Sequence, residues 1–233
     1  MARELHILSA GAAKAVVLAL QPDVEREEGI ALNLTFGAVG TMRELWAGGA
    51  PCDVLILSAR LLDELAGEGA LLAHGRVSLG RVHTGIAVRA GSALPAIANA
   101  AQLKQSLLAA AALYLPDPQR ATAGIHCVDV LRRLDIYATL QERLRPLPNG
   151  AVAMAALAAD PTPGALGCTQ VTEILYTPGV TLAGVLPPGF ELNTEYGAAV
   201  VTRAREPEIA QRFVRRLGSD GSRAVRRDGG FEA

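Results

Sequence analysis

Strands that end in small residues and run straight into helices recur along this chain, and that repetition restricts its fold more than any other feature. Glu4 to Ser9 alternates as a short strand, and Gly11 opens an alanine-rich helix reaching about Glu28, with Pro22 expected to kink it or start a second segment. Ala31 to Phe36 is the next strand, and Gly37, Val39, Gly40 and Thr41 lead into a helix over Met42 to Ala47. Cys52 to Leu57 reads as a buried strand, followed by Ser58 and a helix around Arg60 to Glu68. Parallel strands need crossover connections, so this succession predicts a parallel sheet flanked by helices.

The same grammar returns later. Leu113 to Leu115 is an apolar strand broken by Pro116, Asp117 and Pro118, and Thr122 is the expected N-cap of a helix starting at Ala123. Ala123 and Gly124 leave backbone N–H groups accessible at the positive end of that helix, which suits an anion, and Arg120 sits just ahead. Arg145 to Pro148 leads through Asn149 and Gly150 into Ala151 to Ala159, and Ala165 to Thr169 leads into Val171 to Tyr176. A long β-rich stretch, Gly80 to Arg89, and a second passage near Tyr196 are expected to carry the chain between two α/β lobes. One lobe is expected at residues 1–83 plus 195–233 and the other at 84–194.

Composition narrows the function. Half of the 233 residues are hydrophobic, enough for substantial cores, while the net charge of −1 offers no basic field for nucleic acid and no polybasic membrane patch. Apolar runs fall short of the roughly 20 residues that span a bilayer, so no membrane insertion is expected. The histidines and cysteines lack metal-ligand spacing and no phosphate loop is present, so neither metal nor cofactor is predicted. Cys52, Cys127 and Cys168 are odd in number, which argues against a disulfide framework and for a reducing compartment. No secretory segment opens the sequence; the expected location is periplasmic if one has been removed and cytoplasmic otherwise.

The segments FGAVGTMRELWAGGAPCDVLILSA and PDPQRATAGIH, with the ending GGF, resemble the molybdate-binding-protein-like branch of the type II periplasmic binding proteins. That resemblance implies two α/β lobes, joined by two crossing strands, closing on a small anion held by helix N-termini in the cleft between them. It places Ser9, Gly11, Ala12, Gly37, Val39, Gly40, Thr41, Arg120, Thr122, Ala123, Gly124, Asn149, Gly150, Thr169 and Gln170 at the ligand. Ala12 and Val39 stand where the molybdate binders carry serine hydroxyls, and Gln170 stands where they carry a cleft tyrosine. A bare oxyanion needs those donors, so the expectation shifts from molybdate to an organic anion such as a di- or tricarboxylate. Arg120 can clamp one carboxylate, and Val39 can face a carbon skeleton.

Two functions follow from the resemblance. One is a solute-binding protein that delivers its anion to a membrane ABC transporter. The other is a cofactor-free isomerase of an unsaturated polycarboxylate, because the related set includes aconitate isomerase; His126 or Glu173 would then move the proton. Each residue also has a structural reading: Arg120 paired with Asp117, His126 hydrogen-bonded in the fold, Glu173 a first-turn carboxylate beside Thr169 or Thr172, Cys168 a small core residue, and Tyr196 a packing aromatic.

Overall fold

The computed structural model describes residues 3–232. The chain forms two compact units, Met1–Val82 with Thr194–Ala233, and His83–Asn193.

In the first unit, β1 (Glu4–Ala10) leads through a 3-10 turn (Gly11–Ala13) into α1 (Lys14–Glu28). Then come β2 (Ala31–Gly37), α2 (Val39–Ala47), β3 (Val54–Ser58), α3 (Ala59–Gly67) and the start of β4 (Leu71–Arg89). The second unit holds the rest of β4, then α4 (Ala100–Ala109), β5 (Leu113–Pro116), α5 (Thr122–Arg133), a single turn α6 (Tyr137–Leu140), β6 (Leu144–Leu147) and α7 (Gly150–Ala159). It continues with β7 (Leu166–Gln170), α8 (Val171–Tyr176) and β8 (Val180–Val185). The chain returns along β9 (Asn193–Val201) to α9 (Pro207–Gly218) and α10 (Arg223–Asp228).

In the first unit β2, β1 and β3 are parallel, β9 adds antiparallel to β3, and β4 follows β9. In the second, β6, β5 and β7 are parallel, and β4 pairs antiparallel with β7 on one side and β8 on the other. The parallel sets come from the strand–helix units read in the sequence. Their continuous apolar strands are buried, Val54 to Leu57 completely so, as sheets covered on both faces require. Buried Asp53 steadies the first unit by accepting the N–H groups of His6 (2.8 Å) and Arg205 (2.6 Å).

Several boundaries differ from expectation. Pro22 lies inside an unbroken α1. β4 begins at Leu71 rather than Gly80, because two glycines let it run close to its neighbours: Gly75 packs on Val200, and a Cβ on Gly80 (φ +111°) would lie 2.2 Å from the Glu232 carbonyl oxygen. α2 starts at Val39 rather than Met42, since extended Ala38 already offers its carbonyl to the Met42 N–H (3.0 Å).

The cysteine reading is corrected. Cys127 of α5 and Cys168 of β7 form a disulfide across 41 residues, inside the apolar cluster that α5 makes with Ile86, Val88 and Leu115. An odd count left room for one bond and one free thiol, and the pairing depends on α5 packing against β7. Burial pushes the remaining Cys52 thiol up to about 12, so it is protonated and inert. In denaturant without reductant, thiol titration is therefore expected to find one reactive cysteine per chain, and reduction to lower stability by about 2–4 kcal/mol. Three reactive thiols in the air-purified protein would contradict the pairing.

Candidate functional site

Every helix begins with backbone N–H groups that no earlier turn can satisfy, and what meets them decides whether a ligand can. In the first unit, β1 ends at Ser9 and Ala10, and the 3-10 turn begins with Gly11 and Ala12 and has no side-chain cap. Ser9 is buried, and its hydroxyl donates to the Ala10 carbonyl (3.0 Å). β2 ends at Gly37, and the first turn of α2, Val39, Gly40 and Thr41, likewise lacks a side-chain cap. A Cβ on Gly37 would lie 2.6 Å from the Met42 Cε, so any larger residue there would make the Met42 side chain shift.

In the second unit, β5 gives way to a turn built by Asp117. Its carboxylate accepts the N–H groups of Gln119 (2.7 Å) and Arg120 (3.1 Å), and these bonds, with the Arg120 guanidinium nearby, hold its pKa below the usual range. Arg120 is half exposed and stands 3.4 Å from Asp117. Thr122 is not the N-cap. That place falls to Ala121, which has no capping side chain, and Thr122, Ala123 and Gly124 form the uncapped first turn of α5. Gly124 is fixed by close approach, since a Cβ would lie 2.3 Å from the Pro116 carbonyl oxygen.

α7 is different. Asn149 caps it by accepting the Val152 N–H (3.0 Å), and the carboxyl group of Glu173 accepts the N–H groups of Gly150 and Ala151. The Gln170 N–H and the Thr169 hydroxyl (2.6 Å) also donate to Glu173. The glycine at 150 answers to this contact: a Cβ there would overlap Glu173 Oε2 at 1.9 Å. Thus Gly150, read as a point of ligand approach, is approached by the chain's own acid, and the Asn149 carbonyl is committed to its helix. The reading of Glu173 as a first-turn carboxylate beside Thr169 matches this geometry, except that the helix end it serves belongs to α7.

The second proton-transfer candidate is also engaged. His126, in the second turn of α5, lies with Nε2 2.8 Å from the Phe190 carbonyl oxygen. A carbonyl only accepts, so Nε2 carries the proton and Nδ1 is the only nitrogen left to act as a base. Thr169 and Gln170 close β7, both buried, Thr169 turned to α7 and Gln170 at the N-cap position of α8, where it makes no side-chain cap bond. Tyr196 packs edge-on against Phe231, with ring centroids 6.2 Å apart. Sequence reasoning missed the buried hydroxyls of Thr84 and Thr172 beside Gln170. Their signal, polar residues within apolar strand and helix patterns, is weak without a structure.

Comparison with known proteins identifies the family and the fold. The profile of the bacterial extracellular solute-binding proteins matches residues 5–232. An aconitate isomerase from a Pseudomonas species is 25% identical over 232 residues, covering 97% of this chain and 86% of that protein. The molybdate-binding protein ModA of Escherichia coli K12 is 25% identical over 179 residues, covering 76% of this chain and 69% of its own. Among solved structures, the periplasmic molybdate-binding protein of Azotobacter vinelandii aligns with a TM-score of 0.81 at 18% identity, over 98% of this chain and 99% of its own. The fold is the type II periplasmic-binding-protein fold, in the molybdate-binding-like branch.

The Glu173 contact is testable by pH. Burial raises the proton affinity of its carboxyl group, and the hydrogen bonds only partly offset this. The native state therefore keeps the proton to higher pH than the unfolded chain does. Stability from the protonated form is complete below about pH 4.3 and is lost as pH rises through the folded value. In urea titrations, the stability of the natural protein relative to Glu173→Gln is expected to fall with rising pH across that window; a relative gain would contradict it. Gly150→Ala, which displaces the carboxyl, is expected to cost about 1–3 kcal/mol.

Proposed function

Because the chain belongs to the bacterial extracellular solute-binding proteins, we propose that its solute is a small organic anion, a di- or tricarboxylate rather than molybdate. The observation that carries this reading is the contrast among helix N-termini. The first turns after β1, β2 and β5 have no side-chain cap, whereas the start of α7 is filled by Asn149 and Glu173. Uncapped N–H groups with a favourable dipole suit carboxylate oxygens. Beside them stand Ala12 and Val39, both buried, where a metal oxyanion would require hydroxyl donors and a carbon skeleton would not. Arg120 supplies the one formal positive charge of the β5–α5 turn and can shift between Asp117 and a ligand carboxylate.

Delivery to a membrane transporter is the role that the family supports. The Cys127–Cys168 disulfide favours an oxidising compartment such as the periplasm, against the reducing one suggested by cysteine number. Among the described residues no helix is long and apolar enough to cross a membrane.

A second reading has its own support, the 25% identity to an aconitate isomerase along almost the whole chain. In that reading the chain moves a proton along an allylic carboxylate, with the Nδ1 of His126 as the base. Glu173 is the weaker candidate, since its carboxyl already accepts several hydrogen bonds at α7.

Proton NMR of the protein with cis-aconitate, trans-aconitate, citrate and molybdate in separate samples, followed over hours, separates these readings. Line broadening of a carboxylate without conversion is the expected result. Appearance of the other aconitate isomer would establish the enzyme instead, and binding of molybdate alone would overturn the organic anion. Arg120→Ala is expected to weaken carboxylate binding about tenfold or more, the worth of a charge-assisted hydrogen bond.

A further inference from the structure

Among the described residues five threonines are buried, and their hydroxyls divide into two groups. Thr169 donates to Glu173 Oε2, Thr177 donates to the Glu173 carbonyl (2.7 Å), and Thr194 also has a partner. Thr84 and Thr172, each 1% exposed, have hydroxyls that meet no hydrogen-bonding atom of the protein. Buried hydroxyls without partners are uncommon, because the group has given up water and received nothing in return. Each of the two calls for an occupant.

The place is defined by the sheet. Thr84 pairs with Gln170 across the β4–β7 ladder, and its backbone is fully used: its N–H donates to Leu192 (3.1 Å) and its carbonyl accepts from Leu186 (3.0 Å). Residues directly opposite in an antiparallel ladder share a face, and every second residue returns to it. Thr84 and Gln170 therefore share a face with Ile86 and Cys168, the face on which the disulfide binds α5. Thr169 lies on the other face, with Glu173 and α7. Thr172 is the second residue of α8, two beyond Gln170, and unlike Thr177 it makes no bond back to its own helix. Thr84, across the ladder, and Thr172, two residues along the chain, thus flank Gln170 at the carboxyl end of β7, the end of a parallel strand where α/β folds receive their ligands.

We infer that the hydroxyls of Thr84 and Thr172 are solute contacts, donating to carboxylate oxygens of the bound anion, and that with Gln170 they form a neutral recognition patch in the second unit. The inference rests on the proposed carboxylate solute. A threonine hydroxyl can donate or accept, so the patch meets a carboxylate without adding a fixed charge and also tolerates a solute hydroxyl. This gives discrimination among carboxylates of similar charge to neutral donors rather than to Arg120.

Valine matches threonine in shape and lacks only the hydroxyl, so Thr84→Val and Thr172→Val test the inference, with Thr177→Val as a control for a hydroxyl bonded within the protein. Melting temperatures without solute, and calorimetric titrations with trans-aconitate and with citrate, are measured on all four proteins. The expected result is an unchanged or higher melting temperature for Thr84→Val and Thr172→Val, a lower one for Thr177→Val, and a tenfold or greater loss of carboxylate affinity in the first two. A melting temperature lowered as far as in Thr177→Val would show that the hydroxyls have structural partners and overturn the inference. Undiminished affinity in folded variants would assign the patch to an internal water and overturn it while the carboxylate reading stands. Failure of the natural protein to bind either carboxylate would remove both.

Discussion

A buried carboxyl group at the start of α7 fixes the logic of the second unit. Glu173 comes from α8, just after β7, and it takes the first two N–H groups of a helix that follows β6. The Thr169 hydroxyl and the Gln170 N–H hold it from its own side. Desolvating a carboxyl group is unfavourable, and only convergent donors make this arrangement tolerable. In return the contact ties β7, α8 and α7 together and leaves no room at residue 150 for any side chain.

That internal carboxyl group changes where an external anion can be held. A chain with six strand–helix junctions offers, on sequence alone, six equivalent anion sites. The structure makes them unequal: α7 is filled by Asn149 and Glu173, while the turns after β1, β2 and β5 carry no side-chain cap. The β5–α5 turn is also the most thoroughly shaped. Asp117 folds it, Gly124 lets the helix press against the end of β5, and the disulfide one turn further on binds α5 to β7. Rigid backbone donors are an economical way to hold a carboxylate, because they need no reordering when it arrives.

Much of this was legible in the sequence because strand and helix periodicity, glycine placement and turn residues all point the same way. The parallel sets β2–β1–β3 and β6–β5–β7 follow directly from those signals. What escaped depends on contacts between distant residues. Cys127 and Cys168 meet only after α5 packs on β7. Thr122 has the composition of an N-cap, but the Asp117 turn places Ala121 in that position. Gly150 looks like a ligand-facing glycine, yet the atom that needs its space comes from Glu173, 23 residues away. The orphan hydroxyls of Thr84 and Thr172 can be recognised only when burial and every neighbouring donor and acceptor are known.

The claim that the solute is held by the uncapped helix starts, and not by α7, is tested most directly by amide NMR. Titrating trans-aconitate into nitrogen-15-labelled protein reads each backbone N–H separately. The largest shifts are expected at Thr122, Ala123 and Gly124 and at Val39 to Thr41, with Gly150 and Ala151 little changed because Glu173 already occupies them. Largest shifts at Gly150 and Ala151, with the other turns silent, would contradict it.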